Sequence, residues 1–176
     1  KAIHSFPTRR SSDLSKASTG NITLEMTELN FVELINQVIG EFEEKFEERN
    51  LQMVVHFDEE EAIICADGRR LWRVLENVFG NVSKYAMENT RVYVDVNMNR
   101  PNVQLALKNI SAQPLNITAD ELTERFIRGD VSRNTEGSGL GLSIAKDLVQ
   151  LQGGTFNLYL DGDLFKVTIE IGRAHV

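Results

Sequence analysis

A chain of 176 residues, 41% hydrophobic and 26% charged, carries enough apolar material for one domain with a sizeable core. Its formal charge of −7 argues against a nucleic-acid surface, because holding a phosphate backbone requires a basic patch. One cysteine, Cys65, excludes a disulfide framework and a cysteine-based metal site, and no apolar run approaches the roughly 18 residues of a membrane span. A reducing, cytoplasmic setting is the expectation.

The two ends read as foreign to the rest. His4 to Leu14, HSFPTRRSSDL, and Ile171 to Val176, IGRAHV, both back-translate into sequences that resemble sequencing-library adapters. Residues 1–14 and 171–176 are set apart on that ground, as a tag would be, and the chain reads as cut from a longer protein.

Ser15 to Asn21 is small and polar, like the fraying end of an earlier element. Ile22 to Leu29 alternates weakly and predicts a short edge strand. Asn30 caps a helix, with Glu33 completing a capping-box-like pair. Phe31, Leu34, Ile35, Val38, Ile39, Phe42 and Phe46 then recur at helical spacing, and Glu41, Glu43, Glu44, Glu47 and Glu48 form the solvated face. Leu51 to Phe57 and Ala62 to Ala66 read as two strands joined by the acidic turn Asp58 to Glu61, with Cys65 buried in the second. His56 lies in the first, with no second ligand at useful spacing for a metal.

Asp67 caps a second helix that runs to about Met87 and buries Leu71, Leu75, Val78 and Val82, with Trp72 and Phe79 also read as core. Arg91 to Met98 and Asn102 to Lys108 form a strand pair that turns at Arg100-Pro101. Ser111 to Glu136 is long, polar and mostly irregular, with a short helix near Asp120 to Phe126 capped by Thr118 and Glu121; loops of this length are usually lids or binding loops. A third helix carries Leu140, Ile144, Leu148 and Leu151 on one face and stops at Gly153-Gly154. The final hairpin joins Thr155 to Leu160 and Leu164 to Glu170 through Asp161-Gly162. The sum is an α/β sandwich, one mixed sheet with helices packed on one face.

Two stretches point to chemistry. In Glu136 to Lys146, EGSGLGLSIAK, the glycines Gly137, Gly139 and Gly141 alternate before a helix. Glycine permits close backbone approach, and the helix start offers unpaired N–H groups and the positive end of its dipole, so the stretch suits an anion, most naturally phosphate. A plain glycine-rich loop fits the same residues. A dinucleotide fingerprint does not, since a polar segment rather than a strand precedes the glycines, and the Lys-Ser/Thr of a P-loop is missing. On the second helix, Asn77, Asn81 and Lys84 stack on one face at i, i+4 and i+7. Asparagine is a poor choice for an exposed helix interior. Two of them beside a lysine suit a Mg²⁺ ion and phosphate, although chance polar residues on a half-exposed helix would look alike.

The run Leu75 to Ala86, LENVFGNVSKYA, resembles the N box of sensor histidine kinases. RFIRGDVSR, from Arg125, resembles their F-box region, and GSGLGLSIAK, from Gly137, their G2 box. Order and spacing agree over about Ser15 to Glu170. The resemblance implies a two-layer, mostly antiparallel Bergerat-type ATP-binding domain over residues 22–170. Residues 15–21 would then be the exit from the dimerisation and phosphoacceptor helices of a two-component sensor kinase. It implies that Asn81 holds Mg²⁺ with support from Asn77, that Lys84 meets ATP phosphate and that Tyr85 lines the nucleotide pocket. Gly137, Gly139, Leu140 and Gly141 would present the helix start to the triphosphate, and Arg128 and Arg133 would contact the γ-phosphate or the lid.

One departure stands out. The family usually has Asp-x-Gly-x-Gly where this chain has Lys108-Asn109-Ile110-Ser111, so Asn109 would take the adenine amino group with a neutral, weaker acceptor. The implied reaction is phosphoryl transfer from Mg·ATP to a histidine, by positioning and charge neutralisation. Related ATPases that hydrolyse ATP carry a water-activating glutamate at the Asn77 position. Here Glu76 points about 100° away, which favours transfer over hydrolysis. His4 and His175 lie in the adapter-like ends and His56 in a strand, so the fragment should not phosphorylate itself. Implied partners are ATP, the dimerisation helices, a response-regulator receiver domain and, in the full-length protein, a second copy. The implied place is the cytoplasmic side of a membrane-anchored bacterial sensor. A degenerate nucleotide-binding module and an anti-sigma serine kinase of the same superfamily remain as alternatives.

Overall fold

The computed structural model describes residues 22–115 and 140–172. In chain order the elements are β1 (Thr27–Asn30), α1 (Phe31–Glu48), β2 (Gln52–Phe57), β3 (Ile63–Ala66), α2 (Gly68–Tyr85), β4 (Arg91–Asn99), β5 (Asn102–Ile110), α3 (Leu140–Leu151), β6 (Thr155–Asp161) and β7 (Leu164–Gly172). Five strands form one sheet in the order β2-β4-β5-β7-β6, parallel between β2 and β4 and antiparallel elsewhere. A parallel pair needs a crossover connection, and here β3 and α2 supply it.

Alternation along the strands sets the layers. Val92, Val94 and Val96 of β4, Val103, Leu105 and Leu107 of β5, and Phe165, Val167, Ile169 and Ile171 of β7 are buried in one cluster with the apolar faces of the three helices. Tyr93 and Tyr159, at the opposite parity, are exposed. The expected two-layer sandwich, helices on one face of a mixed and mostly antiparallel sheet, is the fold observed.

Four local expectations are corrected. The strands flanking the acidic turn do not pair with each other: β3 pairs with β1 in a separate two-stranded ribbon, while β2 joins β4. The reason lies in the turn. Asp58 N–H donates to the Val96 carbonyl and its carboxylate accepts from Met98 N–H, fastening the turn to β4, whereas Ala62 N–H is held by the Asn30 side chain. Asn30 caps α1 by accepting from Val32 N–H at 3.1 Å rather than from Glu33 N–H, and the same Oδ1 also accepts from Ala62 N–H at 3.1 Å. Cys65 is only half-buried, because Ile64 and Ala66 take the core side of the ribbon. On α3 the buried set is Leu142, Ile144, Ala145, Leu148 and Val149, with Leu151 half-buried, since the helix is covered by α2 and by the sheet.

The end of the fold also moves. β7 runs on to Gly172, and Ile171 is fully buried opposite Val103, so the core uses one residue of the stretch set apart as adapter-like. An apolar side chain at that register is buried whatever its origin. α3 stops where expected. Gly153 takes φ +82°, Gly153 N–H donates to Gln150 O and Gly154 N–H to Val149 O, a Schellman pattern. In the last hairpin the loop residues are Gly162, at φ +63°, and Asp163, one position later than expected. Residues 116–139, including the expected helix near Asp120, lie outside the described residues.

Candidate functional site

α2 supplies most of the site. Asp67 caps it, accepting from Arg70 N–H at 3.2 Å, and Leu71, Val74, Leu75, Val78, Phe79 and Val82 are buried along one side. That anchoring turns the other faces outward in a fixed order. Asn77 and Asn81, one turn apart, are half-buried; Lys84 and Tyr85 are exposed at the C-terminal turn.

The end of α2 is joined to the end of β5. Ala86 bridges Ser111, Met87 N–H donates to Ile110 O at 2.8 Å, and Ala112 N–H donates to Tyr85 O at 2.9 Å. Arg49, at the C-terminus of α1, steadies the same corner: its guanidinium donates to Ser83 O at 2.9 Å and lies 3.6 Å from the Glu88 carboxylate. A cation on the last carbonyls of a helix also suits the dipole there. Neither Arg49 nor the Ala86–Ser111 bridge was visible in the sequence, because both contacts join residues separated by whole strands or helices and neither residue type stands out.

Asn109 closes the buried face of β5, continuing the alternation of Val103, Leu105 and Leu107, two residues before the bridge to α2. It is 3% exposed, and its Oδ1 has no hydrogen-bond partner among the described residues. Leaving a buried acceptor unpaired costs about 1–3 kcal/mol, so the oxygen is suited to a donor brought by a ligand. The exocyclic amino group of adenine is such a donor.

α3 meets α2 at Asn77. The Asn77 amide nitrogen donates to Gly141 O at 3.2 Å, and a Cβ on Gly141 would stand 3.4 Å from Asn77 Cγ, at ordinary contact distance. The first turn of α3 therefore lies against the asparagine face. Helix N-termini favour anions through their free N–H groups. Of the remaining expected contacts, Arg128, Arg133, Gly137 and Gly139 lie outside the described residues. Leu140 begins α3, and its side chain lies outside them too.

The donor set also bears on a metal. Among the described residues no three His, Cys, Asp or Glu side chains gather as a ligand cluster. Mg²⁺ keeps most of its waters and binds largely through substrate phosphates, so an amide oxygen such as that of Asn81 fits it where a full protein cage is missing. His56 is exposed, 3.4 Å from Asp58, and belongs to no such group. A cavity of about 370 Å³ between α1 and the end of β2 is lined by Asp58, Glu59 and Glu60, a sign of charge that repels phosphate. On α3, burial raises the Asp147 pKa above its usual 3.8 against the pull of Lys146.

Residues 66–173, which hold α2, β5 and α3, match the family of histidine kinase-, DNA gyrase B- and HSP90-like ATPases. The chain is 28% identical over 160 residues to the probable sensor protein PcoS of Escherichia coli, covering 89% of this chain and 34% of that protein. It superimposes on the nucleotide-free catalytic domain of the histidine kinase ThkA with a TM-score of 0.74 and 28% identity, covering 85% of this chain and 97% of that one. ThkA in complex with the response regulator protein TrrA matches with a TM-score of 0.70 and 25% identity, over 93% of this chain and 47% of that one. The chain spans about a third of the length of the relatives it matches.

Proposed function

The chain belongs to the histidine kinase-, DNA gyrase B- and HSP90-like ATPase family, and from that premise we propose that it is the catalytic domain of a two-component sensor histidine kinase. In this reading it binds Mg·ATP and delivers the γ-phosphoryl group to a histidine on dimerisation helices outside residues 22–172. ATP supplies the phosphoryl group and Mg²⁺ neutralises its charge; the protein's task is to bind, orient and shield.

The observation that carries the reading is the buried, unpartnered Oδ1 of Asn109 at the corner where β5 meets α2. It selects a ligand with an amino group at that point, as adenine has and guanine, with a carbonyl there, does not. Asn81 offers its amide oxygen to the metal. Lys84, one turn on, offers a cation to phosphate, and Tyr85 lines the pocket. The first turn of α3, at Leu140 and Gly141, faces the phosphates, joined by Gly137 and Gly139 before it. In this reading Arg128 and Arg133 contact the γ-phosphate or the lid. Asn77, whose amide already holds Gly141, orients α3 and backs the metal site. It carries no carboxylate to activate water, which favours transfer over hydrolysis.

The wider assignments follow from the family resemblance of the motifs. Residues 15–21 lead in from the dimerisation helices, a response-regulator receiver domain takes the phosphoryl group onward, and the full-length protein works as a homodimer on the cytoplasmic side of the membrane. The described helices include none long and apolar enough to cross a membrane.

Calorimetric titration with Mg·ADP and with a non-hydrolysable ATP analogue tests the site. Both are expected to bind, and the GTP counterpart to bind more weakly. Asn81→Ala should remove most of the Mg²⁺-dependent affinity while the melting midpoint holds, since Asn81 lies off the buried stripe of α2. No binding at millimolar adenine nucleotide with Mg²⁺, or unchanged affinity in Asn81→Ala, contradicts the reading.

A further inference from the structure

α3 is fastened to α2 at both ends. Near its N-terminus the fastener is the Asn77 amide on Gly141 O. Just past its C-terminus, Gln152, 8% exposed, reaches across: its Oε1 accepts from Asp67 N–H at 2.8 Å and its Nε2 donates to Leu148 O at 3.0 Å. The two helices run antiparallel, and the spans match. Asp67 to Asn77 and Gly141 to Gln152 each cover roughly 15–17 Å at 1.5 Å per residue.

Asp67 is itself a junction. It is 5% exposed, its Oδ1 caps α2 at Arg70 N–H, and its Oδ2 accepts from Glu25 N–H at 2.9 Å with Arg70 Nε at 3.6 Å. The node thus joins the chain entering β1, the start of α2 and the end of α3. Apolar stripes alone let one helix slide along another at little cost. Buried hydrogen bonds made in a single arrangement, such as Asp67 N–H to Gln152 Oε1, do not.

We propose that Gln152 is a positioning residue for the phosphate end of the nucleotide site, acting through α3. By fixing the far end of that helix, it fixes where the first turn stands against Asn77 and Asn81. The proposal rests on the nucleotide-binding reading above.

The test replaces Gln152 with methionine in the full chain, a near-isosteric change that removes donor and acceptor and leaves Asp67 N–H buried and unpaired. Affinities for Mg·ADP and for adenosine are measured by calorimetry, with amide hydrogen exchange over α3. Mg·ADP binding is expected to weaken about three- to tenfold, the range one hydrogen bond supports. Adenosine binding should stay unchanged, and exchange at Ile144 and Ala145, whose N–H groups bond back to the first turn of α3, should accelerate. A parallel loss for both ligands, or no loss for either, overturns the proposal. If Gln152→Met does not fold, Gln152→Asn, one methylene too short to reach Asp67 N–H, is judged by the same outcomes. If the unaltered chain binds no adenine nucleotide, the nucleotide reading has failed. Exchange then decides the positioning role, and an unchanged rate at Ile144 and Ala145 overturns it.

Discussion

Asn109 holds stability and function in opposition. Its side chain is buried without a partner for Oδ1, which costs the empty protein about 1–3 kcal/mol. Leucine has nearly the same shape and no polar atom to satisfy. Asn109→Leu is therefore expected to raise the melting midpoint of the ligand-free chain while weakening ADP binding by roughly tenfold or more, because a bound amino group would lose its acceptor. A variant that melts lower and binds as well as the original would show that the oxygen serves the fold instead. The sequence indicated this residue by its place in Lys108-Asn109-Ile110-Ser111, where the resembled family has Asp-x-Gly-x-Gly. That its oxygen is unpaired follows from packing, which no local pattern encodes.

At the scale of elements, two glycines in or near helices should respond to alanine with opposite signs. Gly40 sits exposed within α1, and a Cβ there meets nothing within 4 Å, so Gly40→Ala should stabilise by up to about 1 kcal/mol through helix propensity. Gly154 follows α3 where a Cβ would collide with the Glu170 carbonyl, and Gly154→Ala should cost about 2 kcal/mol or more. Chemical denaturation checks both; equal shifts would mean that the α3–β7 approach is looser than observed. The helices and most strands were legible because their apolar periods are long and their caps, Asn30 and Asp67, are strong local signals. Strand partners were less so. β2 and β3 look like a hairpin because only an acidic turn separates them, and the bonds that part them come from Val96 and Met98, about 40 residues on. On α3, periodicity alone drew a single stripe, whereas a helix covered from two sides buries a broader arc.

Over the whole molecule, one apolar cluster runs from Phe31 to Ile171, so the described residues should unfold together. A polypeptide ended at Glu170 loses the buried Ile171 side chain and its β5 partner, and is expected to melt below one ended at Gly172 by the worth of one buried aliphatic side chain, about 2–3 kcal/mol. Equal midpoints would show that the strand closes without it. The N box and G2 box were legible in the sequence as motifs. Their meeting at Asn77 and Gly141, and the stapling of β5 to the same helix, are products of the fold. What that assembly does is tested most directly by incubating the chain with Mg²⁺, radiolabelled ATP and a polypeptide carrying the dimerisation and phosphoacceptor helices of a related kinase. Label is expected on a histidine of the added polypeptide, stable to base and lost in acid, with little free phosphate released. Acid-stable label on serine, or ATP bound and turned over to free phosphate with no labelled histidine, would contradict it.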